Sequence, residues 1–224
     1  MKTSLRSILC LSAFLLAAFA LHAQDLSKYR SFSLGANLAS VMKQTNLKTA
    51  DVVLTHPGPP LFQELTWWPP NLPGTSFESD SVEQVLFSFY SGQLYKMTVT
   101  YDQASTEGLT AADMIKSISA TYGPPTTALP EGVPPEVEKY DAKEHLVVAW
   151  EDPQYSFHLV RSAFTDRLGL VICAKRLNAE ADLDIAVAVK REAQEGPQKD
   201  ADRQKQEATD LETKRLKNKK AFRP

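Results

Sequence analysis

The side chains that most often bind metals or act as nucleophiles and bases are sparse in this 224-residue sequence. Beyond residue 23 it has three histidines, His56, His145 and His158, and one cysteine, Cys173. No histidine has a cysteine or a second histidine at the spacing of a zinc site. Cys173 lies in the apolar run LGLVICA, which favours a buried, small, hydrophobic side chain over a reactive thiol. The sequence therefore predicts no metal and no cofactor.

Recognised catalytic motifs are also missing from the sequence. There is no G-x-S-x-G nucleophile elbow and no glycine-rich phosphate loop, and several of the 9 glycines are explained by turns or helix ends. Acidic residues are plentiful, but no spacing among them singles out a catalytic pair. We therefore expect a non-catalytic protein, with an enzyme of unrecognised type as an alternative.

Two adjacent tryptophans in the stretch WWPPNLPG are the most unusual local feature. Alternation along a strand places Leu65 and Trp67 on one face and turns Trp68 outward. Tryptophan is enriched at binding hot spots, so Trp68 is a candidate binding residue. The alternative is that Trp68 packs beneath the neighbouring proline-rich loop. Trp150 occupies a similar position late in a predicted strand and is a second candidate.

The stretch FSFYSGQLYKMTVTY, residues 87–101, predicts a β-hairpin with an aromatic row on one face. A three-residue turn at Tyr90–Gly92 matches the apolar pairs better than a two-residue turn at Ser91–Gly92. The row expected in the core consists of Phe87, Phe89, Tyr95 and Tyr101. Tyr90 lies beside the turn on the mixed face, so we expect it to be exposed and to be a third candidate binding residue.

Charge is distributed unevenly between the body and the end of the chain. Residues 24–189 contain 12 Lys and Arg against 20 Asp and Glu, whereas residues 190–224 contain 11 against 7. An acidic body argues against nucleic acid as the main partner, because neutralising phosphates requires positive charge. The basic cluster KRLKNKK could instead contact anionic lipid or an envelope polymer. Its candidate contact residues are Lys214, Arg215, Lys217, Lys219 and Lys220, and a purely solubilising tail is the alternative.

The first residues have the layout of a secretory signal peptide. Lys2 and Arg6 precede an apolar run, Ile8–Ala20, which is followed by small residues. Cleavage is expected after Ala23, with Ala20 as the second choice. The apolar run has about 13 residues whereas a membrane-spanning helix needs roughly 20, so an uncleaved anchor is the less favoured alternative. We therefore expect a periplasmic or secreted protein with no transmembrane span after cleavage, and with one cysteine left it cannot form an internal disulfide.

Helix and strand signals divide the rest of the chain into two similar halves. Asn37 can cap a short first helix, and Thr110 with Asp113 has the capping-box spacing of a second one. Gly35–Lys43 aligns with Gly108–Lys116, each with a glycine, a cap residue, an alanine, two apolar residues and a lysine. Gly123 and the prolines after it end the second helix. Besides the hairpin, strands are predicted at 61–68, 144–150, 155–161 and 167–175, and residues 47–60 are predicted to be a loop.

These signals predict an α+β fold in which two tandem α-β-β-β units form an antiparallel sheet packed by helices. The α+β domain covers residues 24–176, with pseudo-repeats at about 30–102 and 103–176. Residues 177–224 form a charged C-terminal tail. Its first part, 178–195, is rich in helix formers, with a strand as the alternative. Gly196 and Pro197 are expected to interrupt the tail, and residues 199–220 form a solvated helix or are disordered.

The halves together show a pattern of a known kind. Each opens with a glycine, a capping residue and an apolar-lysine helix, and the F-x-F…G-x-L-Y hairpin and the helix ending Y-G-P-P follow. Over residues 30–176 this resembles the exported bacterial domains typified by the β-lactamase inhibitor protein and the small outer-membrane assembly lipoprotein. This chain has one clear helix per half where those domains have two, and it lacks the inhibitor's disulfides and the lipoprotein's lipid-attachment cysteine. The resemblance implies the architecture, and no functional residue is carried over.

Export, proline-rich loops and the lack of a catalytic set together favour a binding role. We expect a bacterial envelope protein that binds another envelope or secreted protein through its sheet face or loops. Two alternatives remain open: a proteinaceous inhibitor of a hydrolase, and an unrecognised enzyme acting on an envelope polymer.

Overall fold

A computed structural model of the chain describes residues 25–56, 58, 61–70, 81–128 and 144–223. The predicted signal peptide and residues 71–80 and 129–143 lie outside the described residues. The strands are β1 Lys28–Tyr29, β2 Phe32–Ser33, β3 Val52–His56, β4 Phe62–Trp67, β5 Val82–Tyr90, β6 Gln93–Tyr101, β7 Thr127–Ala128, β8 Glu144–Glu151, β9 Tyr155–Ser162 and β10 Leu168–Ala174. The helices are α1 Leu38–Thr45, α2 Gln103–Thr106, α3 Ala111–Tyr122 and α4 Lys175–Ala221.

Eight of these strands form one antiparallel sheet in the order β3-β4-β5-β6-β10-β9-β8-β7. The strands β1 and β2 pair separately as a small hairpin. The α+β class predicted from the sequence is confirmed. The prediction of a loop over residues 47–60 is wrong at Val52–His56, where VVLTH forms the edge strand β3. The two valines and the threonine suit an extended backbone, and the nearby HPGPP signal had masked this preference.

The main core lies on the face of the sheet covered by α1, α3 and the β1–β2 hairpin. Strand register aligns a continuous row across this face, from Leu65 on β4 to Trp150 on β8. Its members are all 0% exposed: Leu65, Phe87, Met97, Ile172, Phe157 and Trp150. Val41 of α1 and Met114 of α3 belong to the same core. Burying each large apolar side chain stabilises the fold by about 1.5–3 kcal/mol relative to leaving it exposed.

Local hydrogen bonds set the bounds of α1 and α3. The Asn37 carboxamide accepts a bond from the Ser40 amide at 2.8 Å, which starts α1. Thr110 and Asp113 form the predicted capping box at the start of α3. Gly123, at a φ of 75°, ends α3 as expected, because a side chain would be strained in that conformation. The capping predictions are therefore confirmed.

The hairpin of β5 and β6 has a shorter turn than predicted. Ser91 and Gly92 both have positive φ, which fits a two-residue turn of type I′, and Phe89 pairs with Leu94. A bulge at Tyr95 then shifts the register, so that Phe87 pairs with Met97. The three-residue turn is wrong because this bulge, and not a longer turn, brings the apolar pairs into register. Phe87, Phe89 and Tyr95 are buried as expected, and Tyr101 is half-buried.

The bulge also divides the hairpin between two cores. Leu94 belongs to the main core, whereas Tyr95 belongs to a second cluster on the opposite face with Phe62 and Ala181. Ala181 lies on α4, which follows β10 directly and crosses this second face toward β3. The C-terminal segment is therefore part of the fold at its start. The prediction of an interruption at Gly196 and Pro197 is wrong, since α4 is continuous through Pro197. Gly196 has no Cβ to clash with the proline ring, so helical backbone is tolerated there.

Candidate functional site

Trp68 lies just beyond the end of β4 and is 60% exposed. Its neighbour Trp67 is half-buried and packs edge-to-face on Phe32, with ring centroids 5.3 Å apart. The two adjacent indoles thus face different environments, as the alternation of a strand requires. Trp68 is accessible to a partner at this corner of the sheet.

Trp150 does not join Trp68 at the surface. It is 0% exposed in the main core, and its indole N–H donates to the Gly123 carbonyl at 2.9 Å. The expectation that Trp150 contacts a partner is therefore corrected. Trp150 pairs across the sheet with Phe157 on the face that α3 covers, whereas Trp68 lies one position outside its strand.

Tyr90 is half-buried against α4 and is not freely exposed as the sequence suggested. Its hydroxyl donates to the Asp184 carboxylate at 2.5 Å, and this bond raises the pKa of Tyr90. The predicted position beside the turn is right, but the face that holds Tyr90 is the one that α4 covers. A partner therefore meets Tyr90 together with α4.

The edge strand β3 presents large apolar side chains to solvent on both of its faces. Val53 is 59% exposed and Leu54 is 61% exposed, and successive strand residues point to opposite faces. Leu61, just before β4, is exposed beside the other end of β3. In the described sheet β3 pairs only with β4, so its outer side is an edge. This surface was not predicted because the HPGPP signal favoured a loop here, although the VVL triplet is typical of a strand.

The C-terminal end of β3 is joined to α4. His56 Nδ1 lies 3.1 Å from Glu192 Oε1, and both side chains are partly buried. Between α4 and strands β3 to β6 lies a cleft of about 250 Å³. The half-buried side chains of Glu64 and Lys96 and the buried hydroxyl of Ser88 line it. These residues are distant from α4 in the sequence, so helix and strand periodicity could not predict that they line one cleft.

A second cluster of polar side chains holds the start of α4 against the sheet. Glu151 accepts a bond from Lys175 Nζ at 2.8 Å and lies 2.5 Å from His158 Nε2. Beside it, Cys173 Sγ lies 3.0 Å from Ser156 Oγ, and burial raises the pKa of the Cys173 thiol. The thiol is therefore protonated at neutral pH, which fits its interpretation as a structural residue. Across the described ranges, no three His, Cys, Asp or Glu side chains converge as a metal site would require.

Beyond residue 192, α4 leaves the sheet and is almost entirely exposed. The projecting part, residues 193–221, is about 43 Å long at 1.5 Å per residue. Ion pairs one turn apart run along it, among them Lys199–Glu195 at 2.7 Å and Arg215–Glu212 at 2.8 Å. The predicted basic contact residues, from Lys214 to Lys220, are exposed at its far end. In the part of the chain that the structure describes, no helix is both long enough and apolar enough to cross a membrane.

Comparisons with protein-family profiles, with curated proteins and with solved structures find no match to this chain. The exposed edge, the cleft and the projecting helix are therefore the features that bear on function.

Proposed function

We propose that this protein is a non-catalytic, exported binding protein that takes up an extended segment of another envelope or secreted protein at the edge strand β3. The observation that carries the proposal is the exposure of Val53 and Leu54 on opposite faces of an edge strand. Exposed apolar edges are usually shielded in soluble proteins, because they pair readily with other chains. Among the described residues no strand pairs with the outer side of β3, and such an apolar edge suits a partner strand.

Strand addition explains how such an edge would achieve affinity and selectivity. Main-chain hydrogen bonds to a partner strand supply affinity, and alternating side chains supply selectivity. Because β3 has five residues, the partner segment should be about equally long, with apolar residues opposite Val53 and Leu54. Trp68 lies at the end of the sheet edge where β3 begins, so it can extend the same surface.

Export and the tandem arrangement are part of the same proposal. The charged start, short apolar run and small-residue site of the first 23 residues support cleavage and export. In each half a helix precedes four strands, one more than the three predicted, and they run from a sheet edge to the centre, where β6 and β10 pair. This order supports two related units, although the second edge strand, β7, has only two residues. The long β3 edge would therefore be the one used for binding.

The test uses a photo-crosslinking amino acid at position 54 in the full-length protein, expressed in cells. The captured partner is identified, purified and titrated calorimetrically against the unlabelled protein. We expect Val53→Lys and Leu54→Lys each to weaken binding at least roughly tenfold, because each buries a charge in an apolar contact. Phe164→Lys is the matched control, since Phe164 is 76% exposed on the β9–β10 turn and should not affect binding.

Two results would refute the edge as the binding surface. One is a partner whose affinity is unchanged by both β3 substitutions. The other is crosslinking from position 164 as strong as that from position 54. A crosslink between two copies of this chain, with a dimer in light scattering that Leu54→Lys dissociates, would keep the edge but replace the foreign partner by a second copy. Mass spectrometry of the exported protein checks the cleavage site, with Gln24 expected as the first residue.

A further inference from the structure

The cleft between α4 and the sheet contains polar groups that the fold itself does not pair. It measures about 250 Å³ and is lined by both charges and apolar side chains. Buried polar groups in native proteins are nearly always hydrogen-bonded, so an unpaired one suggests an occupant. The geometry points to a binding site for a small zwitterion, with its ammonium group at Glu64, its carboxylate at Lys96 and a polar atom bonded to Ser88.

Ser88 is the innermost of these groups. Its side chain is 2% exposed, and its hydroxyl has no hydrogen-bond partner among the described residues. The Tyr95 hydroxyl is the nearest candidate partner. Burial raises the pKa of Tyr95 and the Ser88 hydroxyl acts on it to lower that pKa, but the two hydroxyls do not meet the distance and angle of an ordinary hydrogen bond. Leaving such a hydroxyl unpaired costs about 1–3 kcal/mol. A ligand that supplies a donor or acceptor would recover that free energy.

Glu64 and Lys96 flank Ser88 on the neighbouring strands. Cross-strand register pairs Glu64 with Ser88 and Ser88 with Lys96, so all three side chains point to the α4 face. The two charged residues are two strand spacings apart, or roughly 10 Å between backbones. No ion pair involving Glu64 or Lys96 occurs within the described parts of the chain. The Lys96 ammonium lies over the Tyr95 ring, 5.5 Å from its centroid. A carboxylate and an ammonium thus line one small cleft on either side of Ser88.

The walls between these charges are apolar. Phe62 is 3% exposed on β4, and Ile185 faces the cleft from α4. A ligand with a short hydrocarbon chain between two charged ends would place its charges at Glu64 and Lys96 and its chain against Phe62 and Ile185. A ligand with one charge would leave the opposite half-buried residue without a partner, and desolvating an unpaired charge is unfavourable. The site therefore selects for both charges, and it is independent of the proposed strand addition at β3.

The test compares ω-amino carboxylates of increasing length, from glycine to 6-aminohexanoate, in titrations followed by backbone amide NMR signals. Hexylamine and hexanoate serve as probes with only one charge. We expect 6-aminohexanoate to shift the amide signals of Ser88 and Lys96 and to bind at least roughly tenfold more tightly than either single-charge probe. Glu64→Gln and Lys96→Met should each reduce that affinity about tenfold.

Matched variants separate binding from folding. Glu107→Gln and Lys116→Met make the same chemical changes at exposed positions outside the cleft and should bind like the unaltered protein. Ser88→Ala should keep or raise the melting temperature, because it removes an unpaired buried hydroxyl, yet it should weaken binding. Equal binding of hexylamine or hexanoate would overturn the inference. So would the lack of any cleft signal change at about 10 mM of every amino carboxylate, since millimolar binding is the weak limit expected of such a site.

Discussion

At the scale of single residues, Trp150 connects the end of α3 to the sheet. Its ring lies in the fully buried row, and its N–H satisfies the Gly123 carbonyl at 2.9 Å. Trp150→Phe should destabilise the protein by about 1–3 kcal/mol by leaving that carbonyl unpaired. Trp150→Ala should cost about 3–5 kcal/mol by also leaving a cavity. Urea unfolding measures both, and Trp68→Phe, at the exposed indole, should stay within about 0.5 kcal/mol.

Tyr95 makes the stability of the protein sensitive to alkaline pH. Burial, with the carboxylates of Asp182 and Glu64, raises the pKa of Tyr95 to about 12 from an ordinary value of 10.0. Folded protein therefore keeps this proton at a pH where unfolded protein has lost it. The stabilisation is complete below pH 10 and decreases as the pH rises from 10 to about 12, by about 2–3 kcal/mol from this residue.

The pH effect is measured as the free energy of unfolding between about pH 9 and pH 12. Tyr95→Phe should reduce the number of protons released on unfolding by about one. The free energy of unfolding should then fall less steeply as the pH rises. Burial also raises the pKa of Tyr122 to about 12. Tyr122 should therefore account for the decrease in unfolding free energy that remains in the variant. Phe164→Tyr adds a tyrosine at an exposed site and should leave the slope unchanged. A slope identical in Tyr95→Phe and the unaltered protein would show that Tyr95 does not titrate in this range.

At the scale of elements, α4 packs on the sheet through two buried alanines and the partly buried Leu177 and Ile185. Ala181 is 0% exposed against Phe62 and Tyr95, and Ala188 is 4% exposed one heptad later. Ala181→Glu places an unpaired charge in that contact, which is unfavourable, so the first part of α4 should detach from the sheet. Hydrogen exchange should then show a loss of protection over residues 175–192 while β5, β6 and β10 stay protected.

The exposed face of the same helix provides the control. Ala186→Glu makes the identical substitution at an exposed position and should leave the exchange pattern unchanged. Equal protection of α4 in both variants would contradict the view that Ala181 anchors the helix.

At the scale of the whole molecule, the projecting part of α4 holds the basic cluster about 30–40 Å from an acidic body. We expect the protein to sediment with vesicles containing about 30% anionic lipid at low salt and to dissociate at high salt, because exposed charges are screened. Substituting Lys217, Lys219 and Lys220 by Glu should abolish sedimentation. Glu substitutions at Lys199, Arg203 and Lys205, midway along the helix, make the same charge change. They should retain more binding, and an equal loss would assign the effect to net charge alone.

Local structure was predictable wherever a few neighbouring residues determine it. The capping box of Thr110 and Asp113, the helix end at Gly123 and the strands of the hairpin follow from interactions that span only a few positions. The register of the hairpin did not, because the bulge at Tyr95 is chosen by packing on both faces of the sheet. The candidate site was predictable only at Trp68, whose exposure strand alternation anticipates.

The sequence by itself determined the α+β class, the helix caps, most strands of the main sheet and the charge difference between body and tail. Tertiary structure alone decided where α4 lies, and with it the partial burial of Tyr90, the face of the sheet on which Tyr95 is buried, and the cleft. The contacts responsible join Tyr90 to Asp184 and His56 to Glu192, which are 94 and 136 positions apart. Helix capping and strand alternation depend on residues a few positions apart, so they can be predicted from the sequence. The buried face of α4 consists of small or only partly buried side chains, so its apolar pattern was too weak to predict which surface it packs on.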